Sequence, residues 1–323
     1  MPRNTRKRRT AGTRGGAKAF GKTPTASQID RAAIRHGRAQ AKAILGARKK
    51  TAGAKGPKGL NGLLIAEGDS WFDYPFFDTL ERLEGKFSFE VESVAHKGDT
   101  LEQIAYDPTQ GTALARMFEK LGDDGKVPRA ILLSGGGNDI AGTEFAMLLN
   151  HATSGLQDVN ESVVKGVIDE RLRFAVISVL SGVTQLSLAH FGKKVPVVIH
   201  GYGYAVPDGR GYKGGFWILP GPWLEPGFRQ KGYVAPPQLE VDLPRCTEIM
   251  ERLMDRFNAM IAAVAALPTF SSHVTYLDLR KVLSNALPSG YRSSWGDELH
   301  PTKAGFEEVA KRFRDVILNF PKP

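Results

Sequence analysis

The sequence predicts an α/β protein, a three-layer sandwich in which helices cover both faces of a five-stranded parallel sheet. Three observations predict it. Five short apolar runs are spread along residues 63–277, the pattern of strands buried on both faces. Helical stretches alternate with those runs, so crossovers rather than hairpins join the strands. At 323 residues, 41% apolar and 9% aromatic, the chain is also large enough to bury such a core.

Leu63-Leu64-Ile65-Ala66 reads as the first strand, followed by a helix over Phe76 to Leu83. Phe89 to Val94 is the second strand, and Leu101 to Glu119 a helix. Ala130 to Leu133 is the third strand, with a long helix from Asn160 to His190 after it. Val195 to Ile199 is the fourth. After a helix over Pro244 to Leu267 comes the fifth, Val274 to Leu277, and Thr302 to Leu318 closes the chain as a helix. No internal repeat is visible.

Residues 201–233 break the pattern. They hold nine Gly, four Pro and eight aromatic residues, with neither helical nor strand periodicity. This is an insertion after the fourth strand. Open α/β sheets bind ligands beyond the carboxyl ends of their strands, which is where the insertion begins. Its aromatics, Tyr202, Tyr204, Trp217 and Trp223 among them, suit either a substrate lid or platform, or a loop packed on itself.

The amino-terminal region differs in charge. The chain carries a net charge of +10, but 17 of its 44 Lys and Arg and only one of its 34 acids, Asp30, lie in residues 1–60; the remaining 27 basic and 33 acidic residues leave a mildly acidic body. Residues 1 to about 26 have almost nothing to bury and read as disordered. Ser27 to Leu45 can form a basic helix, with Ile29, Ala33, Ile34 and Ile44 among Arg31, Arg35 and Arg38. The Gly-rich residues 46–62 read as a linker, which puts the domain boundary near Asn61. Residues 1–60 are therefore expected to act as an electrostatic tether to nucleic acid or an anionic membrane, or as a solvated extension with no partner. A mitochondrial-type targeting peptide fits the lack of acids but not the scarcity of serine.

Cys246 is the only cysteine, so no intramolecular disulfide forms, which fits a reducing compartment. No run of about 18 apolar residues suggests a transmembrane segment. Arg6-Lys7-Arg8-Arg9 is not followed by the apolar stretch of a secretory signal, so a cytoplasmic location is expected. The histidines are dispersed, with no H-E-x-x-H and no C-x-x-C, and no metal or other cofactor is expected. The glycines at 135–137 lack the Lys and Ser/Thr of a phosphate-binding loop.

Three blocks carry chemistry. Gly68-Asp69-Ser70 follows the first strand, at a turn where a serine can point into a crevice with its own N–H facing the same way. Alone, it also reads as a helix cap. Asp297 and His300 are three residues apart, so the carboxylate can fix one imidazole tautomer and leave the other nitrogen to take a serine proton; Pro301 suits the first turn of the last helix. Asn138, behind three glycines at the end of the third strand, can offer its amide to a developing oxyanion, and the Gly98 N–H in the turn after the second strand is a further donor. Turn or capping roles remain open for each block taken singly.

In order and at strand ends, Gly68-Asp69-Ser70, Gly98, Gly136-x-Asn138-Asp139 and Asp297-x-x-His300-Pro301 resemble the four blocks of the SGNH (GDSL-type) hydrolase superfamily, over about residues 61–320. The resemblance implies a flavodoxin-like fold. It implies Ser70 as nucleophile, His300 as base, Asp297 as its orienting acid, and the Ser70 and Gly98 N–H groups with the Asn138 amide as oxyanion hole. The activity implied is hydrolysis of a carboxylic ester, whether an acyl ester or an O-acetylated carbohydrate, with no cofactor. Trp71 departs from the leucine of the name motif, which alters the pocket wall, and the long insertion leaves the substrate open. Asp69 and Asp139 read as structural turn residues. An acyltransferase would use the same residues, and a tail-driven scaffolding protein with an idle core is the reading from a different class.

Overall fold

The computed structural model describes residues 25–46, 60–142, 144–214, 220–235 and 240–322. Its strands in chain order are β1 (Leu63–Glu67), β2 (Glu90–Ser93), β3 (Ala130–Leu133), β4 (Val197–His200), the two-residue pair β5 (Val234–Ala235) and β6 (Glu240–Val241), and β7 (Val274–Leu277). Five of them form one parallel sheet in the order β2-β1-β3-β4-β7, while β5 and β6 pair separately as an antiparallel ribbon. Residues of β1, β3 and β4 are buried along their whole length, as expected of strands covered on both faces. The order reverses direction at β1 and β3, and in such a sheet the crevice between their carboxyl ends is the natural ligand site.

The helices are α1 (Ala26–Gly46), α2 (Thr79–Phe87), α3 (Leu101–Tyr106), α4 (Pro108–Asp123), α5 (Gly137–Ile140), α6 (Glu161–Val164), α7 (Arg173–Phe191), α8 (Glu225–Gln230), α9 (Leu243–Ala265) and α10 (Lys303–Leu318). A π-helical stretch, Lys165–Leu172, joins α6 to α7 without a break. Three boundaries differ from the sequence reading for local reasons. α2 starts at Thr79, not Phe76, because the Asp78 side chain caps it by accepting from the Glu81 N–H at 2.8 Å. The single helix expected over Leu101 to Glu119 is two, since Pro108 cannot continue α3 and instead opens α4 behind the Asp107 cap. Within the insertion, α8 forms where irregular chain was expected.

The helix expected over Ser27 to Leu45 forms as α1, and it lies along α7, with Ile29, Ala33 and Ala41 buried. Asp30 forms a two-pronged ion pair with Arg173 at 2.6 and 2.9 Å. A side chain at Gly37 would put a Cβ 2.0 Å from the Ser178 carbonyl oxygen, so only glycine permits this approach. Arg31, Arg35, Arg38 and Lys42 stay exposed on the outer face. The disorder expected before residue 25 and most of the expected linker lie outside the described residues.

The continuous helix Glu161–Phe191 is long and apolar enough, by length and composition alone, to cross a membrane. Here its apolar character has a packing cause. Every residue from Ala175 to Ser181 is buried, because α1 covers one side of α7 while the body of the protein covers the other. The segment entering β1 and the end of α10 are tied by Arg129, a buried side chain that donates to the carbonyls of Asn61, Leu318 and Phe320. Cys246 is buried on α9, its thiol pushed up to about 12 by burial.

Candidate active site

Sheet geometry brings the strand-end blocks together. β1 and β3 pair in register, Glu67 beside Leu133, so the segments beyond them leave side by side. At Gly68 an added Cβ would lie 2.6 Å from the Ser134 Cβ, so this position must be glycine for the turn that carries Ser70 to pass. Asp69 then locks the turn: it accepts from the Trp71 N–H at 3.0 Å, from the Ser134 hydroxyl at 2.7 Å, and from the Tyr202 hydroxyl. Glu67, just below, is buried; burial raises its carboxyl to about 8, with the Gly68 N–H bond opposing the shift.

Ser70 lies within this turn, whose Asp69 carbonyl accepts from the N–H groups of Phe72 and Asp73. Its Oγ is 2.8 Å from His300 Nε2, across 230 residues of sequence. His300 Nδ1 lies 2.9 and 3.1 Å from the two oxygens of Asp297. The carboxylate also accepts from the backbone N–H groups of Leu299 and His300, at 2.9 and 2.8 Å. Burial would raise the Asp297 carboxyl, but its hydrogen bonds and the charge interaction with His300 outweigh that and hold it below the ordinary value. Asp297 is therefore an anion at neutral pH, which fixes the Nδ1–H tautomer and leaves Nε2 facing the serine hydroxyl as an acceptor.

Tyr74 completes this arrangement and was not singled out from the sequence. Its ring stacks on that of His300, with centroids 4.4 Å apart, and its hydroxyl donates to Asp297 Oδ2 at 3.1 Å. Burial, followed by the nearby Asp297 charge, pushes the hydroxyl well above its usual value, so it remains a donor. The only hint in the sequence is its position four residues after Ser70, on the segment that follows the Gly68-Asp69-Ser70 block.

Asn138 sits in the one-turn helix α5. Gly136, with φ of 109°, is what lets α5 start so sharply, and a side chain there would run into the Phe257 ring at 2.3 Å. One amide hydrogen of Asn138 goes to the Asp99 carbonyl at 2.8 Å, leaving the second for a ligand. Asp139 is taken up structurally, accepting from the N–H groups of Leu101 and Glu102 at the start of α3. Gly98 lies in a left-handed turn, φ 89°, on the wall of the same crevice.

That crevice is a cavity of about 430 Å³, lined by Ser70, Gly98, Asn138 and His300 together with the rings of Tyr74, Tyr212 and Trp223. The insertion thus reaches the site, but not through every aromatic expected. Trp223 sits edge-on to His300 at 5.4 Å between centroids. Tyr204 is a correction: its hydroxyl donates to Asp255 of α9 at 2.8 Å, and it lines neither this cavity nor the smaller one beside it. Tyr202 is buried, with its hydroxyl held by Asp69 and its ring against the smaller cavity. Trp217 lies outside the described residues. Trp71, where the name motif has leucine, is buried and donates from its indole to the Leu299 carbonyl at 3.1 Å.

Glu298 is the second residue the sequence reading missed. It is fully buried and its two oxygens accept four backbone N–H groups from the insertion: Gly209 and Glu225 at 3.0 Å each, Trp223 at 2.6 Å and Leu224 at 2.7 Å. Burial raises its carboxyl to about 7 against those four bonds. Adjacent carboxylates therefore serve different partners, Asp297 the imidazole and Glu298 the loop. Among the described residues, no group of three or more His, Cys, Asp or Glu is arranged to hold a metal ion.

No protein-family model matches the sequence, and no curated protein matches it. Solved structures resemble it distantly. The acetylxylan esterase Axe2 from Geobacillus stearothermophilus is 14% identical, covering 81% of this chain and 96% of its own, at a TM-score of 0.40. A GDSL-like lipase from Bacteroides thetaiotaomicron is 11% identical, covering 88% and 98%, at 0.37. TesA is 13% identical, covering 80% and 98%, at 0.39. The fold class expected from the sequence is borne out: helices flank a parallel five-stranded sheet, and the blocks lie beyond the carboxyl ends of its strands.

Proposed function

We propose that this chain is a serine hydrolase of carboxylic esters. The observation that carries the proposal is the continuous chain from Ser70 Oγ through His300 Nε2 and Nδ1 to Asp297, at 2.8 and 2.9 Å, opening onto a cavity large enough for a small-molecule ester. His300 takes the hydroxyl proton as Ser70 Oγ bonds to the ester carbonyl carbon. Negative charge collects on the carbonyl oxygen, where the free N–H of the Asn138 amide and the N–H groups of Ser70 and Gly98 are the donors at hand. The C–O bond to the alcohol then breaks and His300 returns the proton to the departing oxygen. Water, activated by the same imidazole, releases the acid and restores the serine.

Tyr74 supports this reading, because a ring stacked on His300 and bonded to Asp297 restrains both members at once. A panel of p-nitrophenyl acyl esters and acetylated sugars tests it, on wild type and on Ser70→Ala. The variant should lose about 10⁴-fold or more in kcat. Equal turnover by the two proteins refutes the assignment.

A further inference from the structure

Two cavities meet at Ser70, and proton transfer tells them apart. Besides the larger cavity of about 430 Å³, a second of about 40 Å³ opens at Ser70, Asn138 and Leu299. Its far wall is made by Ile140 and Ala141 beyond β3, Leu224 of the insertion, Met250 and Met254 of α9, and Trp295. Apart from the partly exposed Ala141, all of these are buried. Where a single trapped water needs about 10–15 Å³, this space holds only a few heavy atoms.

His300 lines the larger cavity and not the smaller. When the ester C–O bond breaks, the proton taken from Ser70 Oγ must pass from His300 Nε2 to the alcohol oxygen, so the alcohol has to lie on the side of the imidazole. That leaves the small cavity for the acyl group. Asn138 borders both, which suits an amide that serves the carbonyl oxygen at their junction. Building on the ester-hydrolase reading above, we infer that the small apolar cavity is the acyl pocket, that Leu224, Met250 and Met254 set its depth, and that the enzyme is confined to acetyl-sized acyl groups on bulky alcohols.

The depth is fixed by structure at two of these positions. The Leu224 N–H is held by Glu298 at 2.7 Å. Met254 offers its carbonyl to Asn258, whose amide also holds the Tyr202 carbonyl. A longer acyl chain has to displace side chains already packed in the core, and overpacking of this kind is unfavourable.

The test uses p-nitrophenyl acetate, butyrate and octanoate, which share one leaving group and so report on the acyl side alone. Wild type should prefer acetate over butyrate by about 10-fold or more in kcat/KM, and over octanoate by about 100-fold. Met250→Ala and Met254→Ala, each checked for folding by circular dichroism, should raise the butyrate-to-acetate ratio about 10-fold. Wild type that hydrolyses octanoate as well as acetate overturns the inference, as does an unchanged ratio in folded variants; if neither variant folds, the wild-type profile decides alone. Ser70→Ala separates the two levels. Loss of turnover in that variant with a flat chain-length profile ends the acyl-pocket assignment only, whereas turnover surviving in it, or wild type inert toward all three esters, ends the ester-hydrolase reading and the inference with it.

Discussion

Asp297 and Glu298 are neighbours in sequence, both buried, and hold two regions that fold by different rules. Asp297 belongs to the strand-end site, where partners lie either within three residues or directly across the sheet edge, and its carboxyl is held low by His300 and local N–H groups against the effect of burial. Glu298 belongs to the insertion. It gathers N–H groups spread over Gly209 to Glu225, and burial leaves its carboxyl raised to about 7. The Ser70, Asp297 and His300 side chains thus sit on short turns just beyond the sheet, fixed by local and cross-strand hydrogen bonds, while the loop that walls the cavity is gathered by a single carboxyl group.

The strand-end side of this contrast is sharpened most by Asn138→Ala. Steady-state kinetics should show kcat lower by about 10²–10³-fold with folding intact, the cost of one oxyanion donor; a loss confined to KM would place Asn138 with the substrate wall instead.

A pH series on Glu298 probes the insertion side. Its folded value, about 7, lies above the ordinary 4.5, so the folded state binds the extra proton. The stability it lends is therefore full below about pH 4.5 and lost as pH rises toward 7, by about 3 kcal/mol. Asp297, shifted the other way, lends stability above its ordinary value of 3.8 that is lost only as acid drives pH down through its lowered folded value. Urea unfolding of Glu298→Gln between pH 4.5 and 7 should show a shallower slope than wild type, the share of Glu67, itself raised to about 8, remaining, and the KM for bulky acetates should rise because the amide nitrogen accepts from none of the loop N–H groups. A slope identical to wild type would detach Glu298 from the pH response.

The smallest effect is expected from Tyr74→Phe, which keeps the ring on His300 but removes the hydroxyl bond to Asp297. A fall in kcat of about 10-fold, from roughly 1.5 kcal/mol of lost hydrogen bonding to a charged group, would assign Tyr74 to positioning. No change in kcat or its pH profile would leave it a packing residue.

How much of this was legible in the sequence follows the same divide. β3 and β7 span the residues expected, because short apolar runs between helices leave few other readings. Ser70, His300 and Asp297 could be grouped from spacing and strand-end position, and in the structure they are hydrogen-bonded neighbours. Tyr74 and Glu298 could not, since each acts through a contact that no periodicity encodes. Glu298 reaches across 73 to 89 residues. The docking of α1 was not legible for a related reason: composition marked the helix as basic, whereas its docking depends on Ile29, Ala33 and Gly37 fitting α7. The even apolar character of α7 was the available clue that a further layer covers it. Tyr204 shows the converse, an aromatic in the right loop whose hydroxyl is committed to Asp255.

The central claim is that Ser70 is a nucleophile activated by His300, and a fluorophosphonate reads it directly. The serine oxygen should displace fluoride at phosphorus, giving one adduct per chain that peptide mass spectrometry locates on Ser70, and His300→Ala should slow its formation by about 10³-fold or more. An adduct on another residue, or labelling of Ser70 at the same rate without His300, would contradict the account.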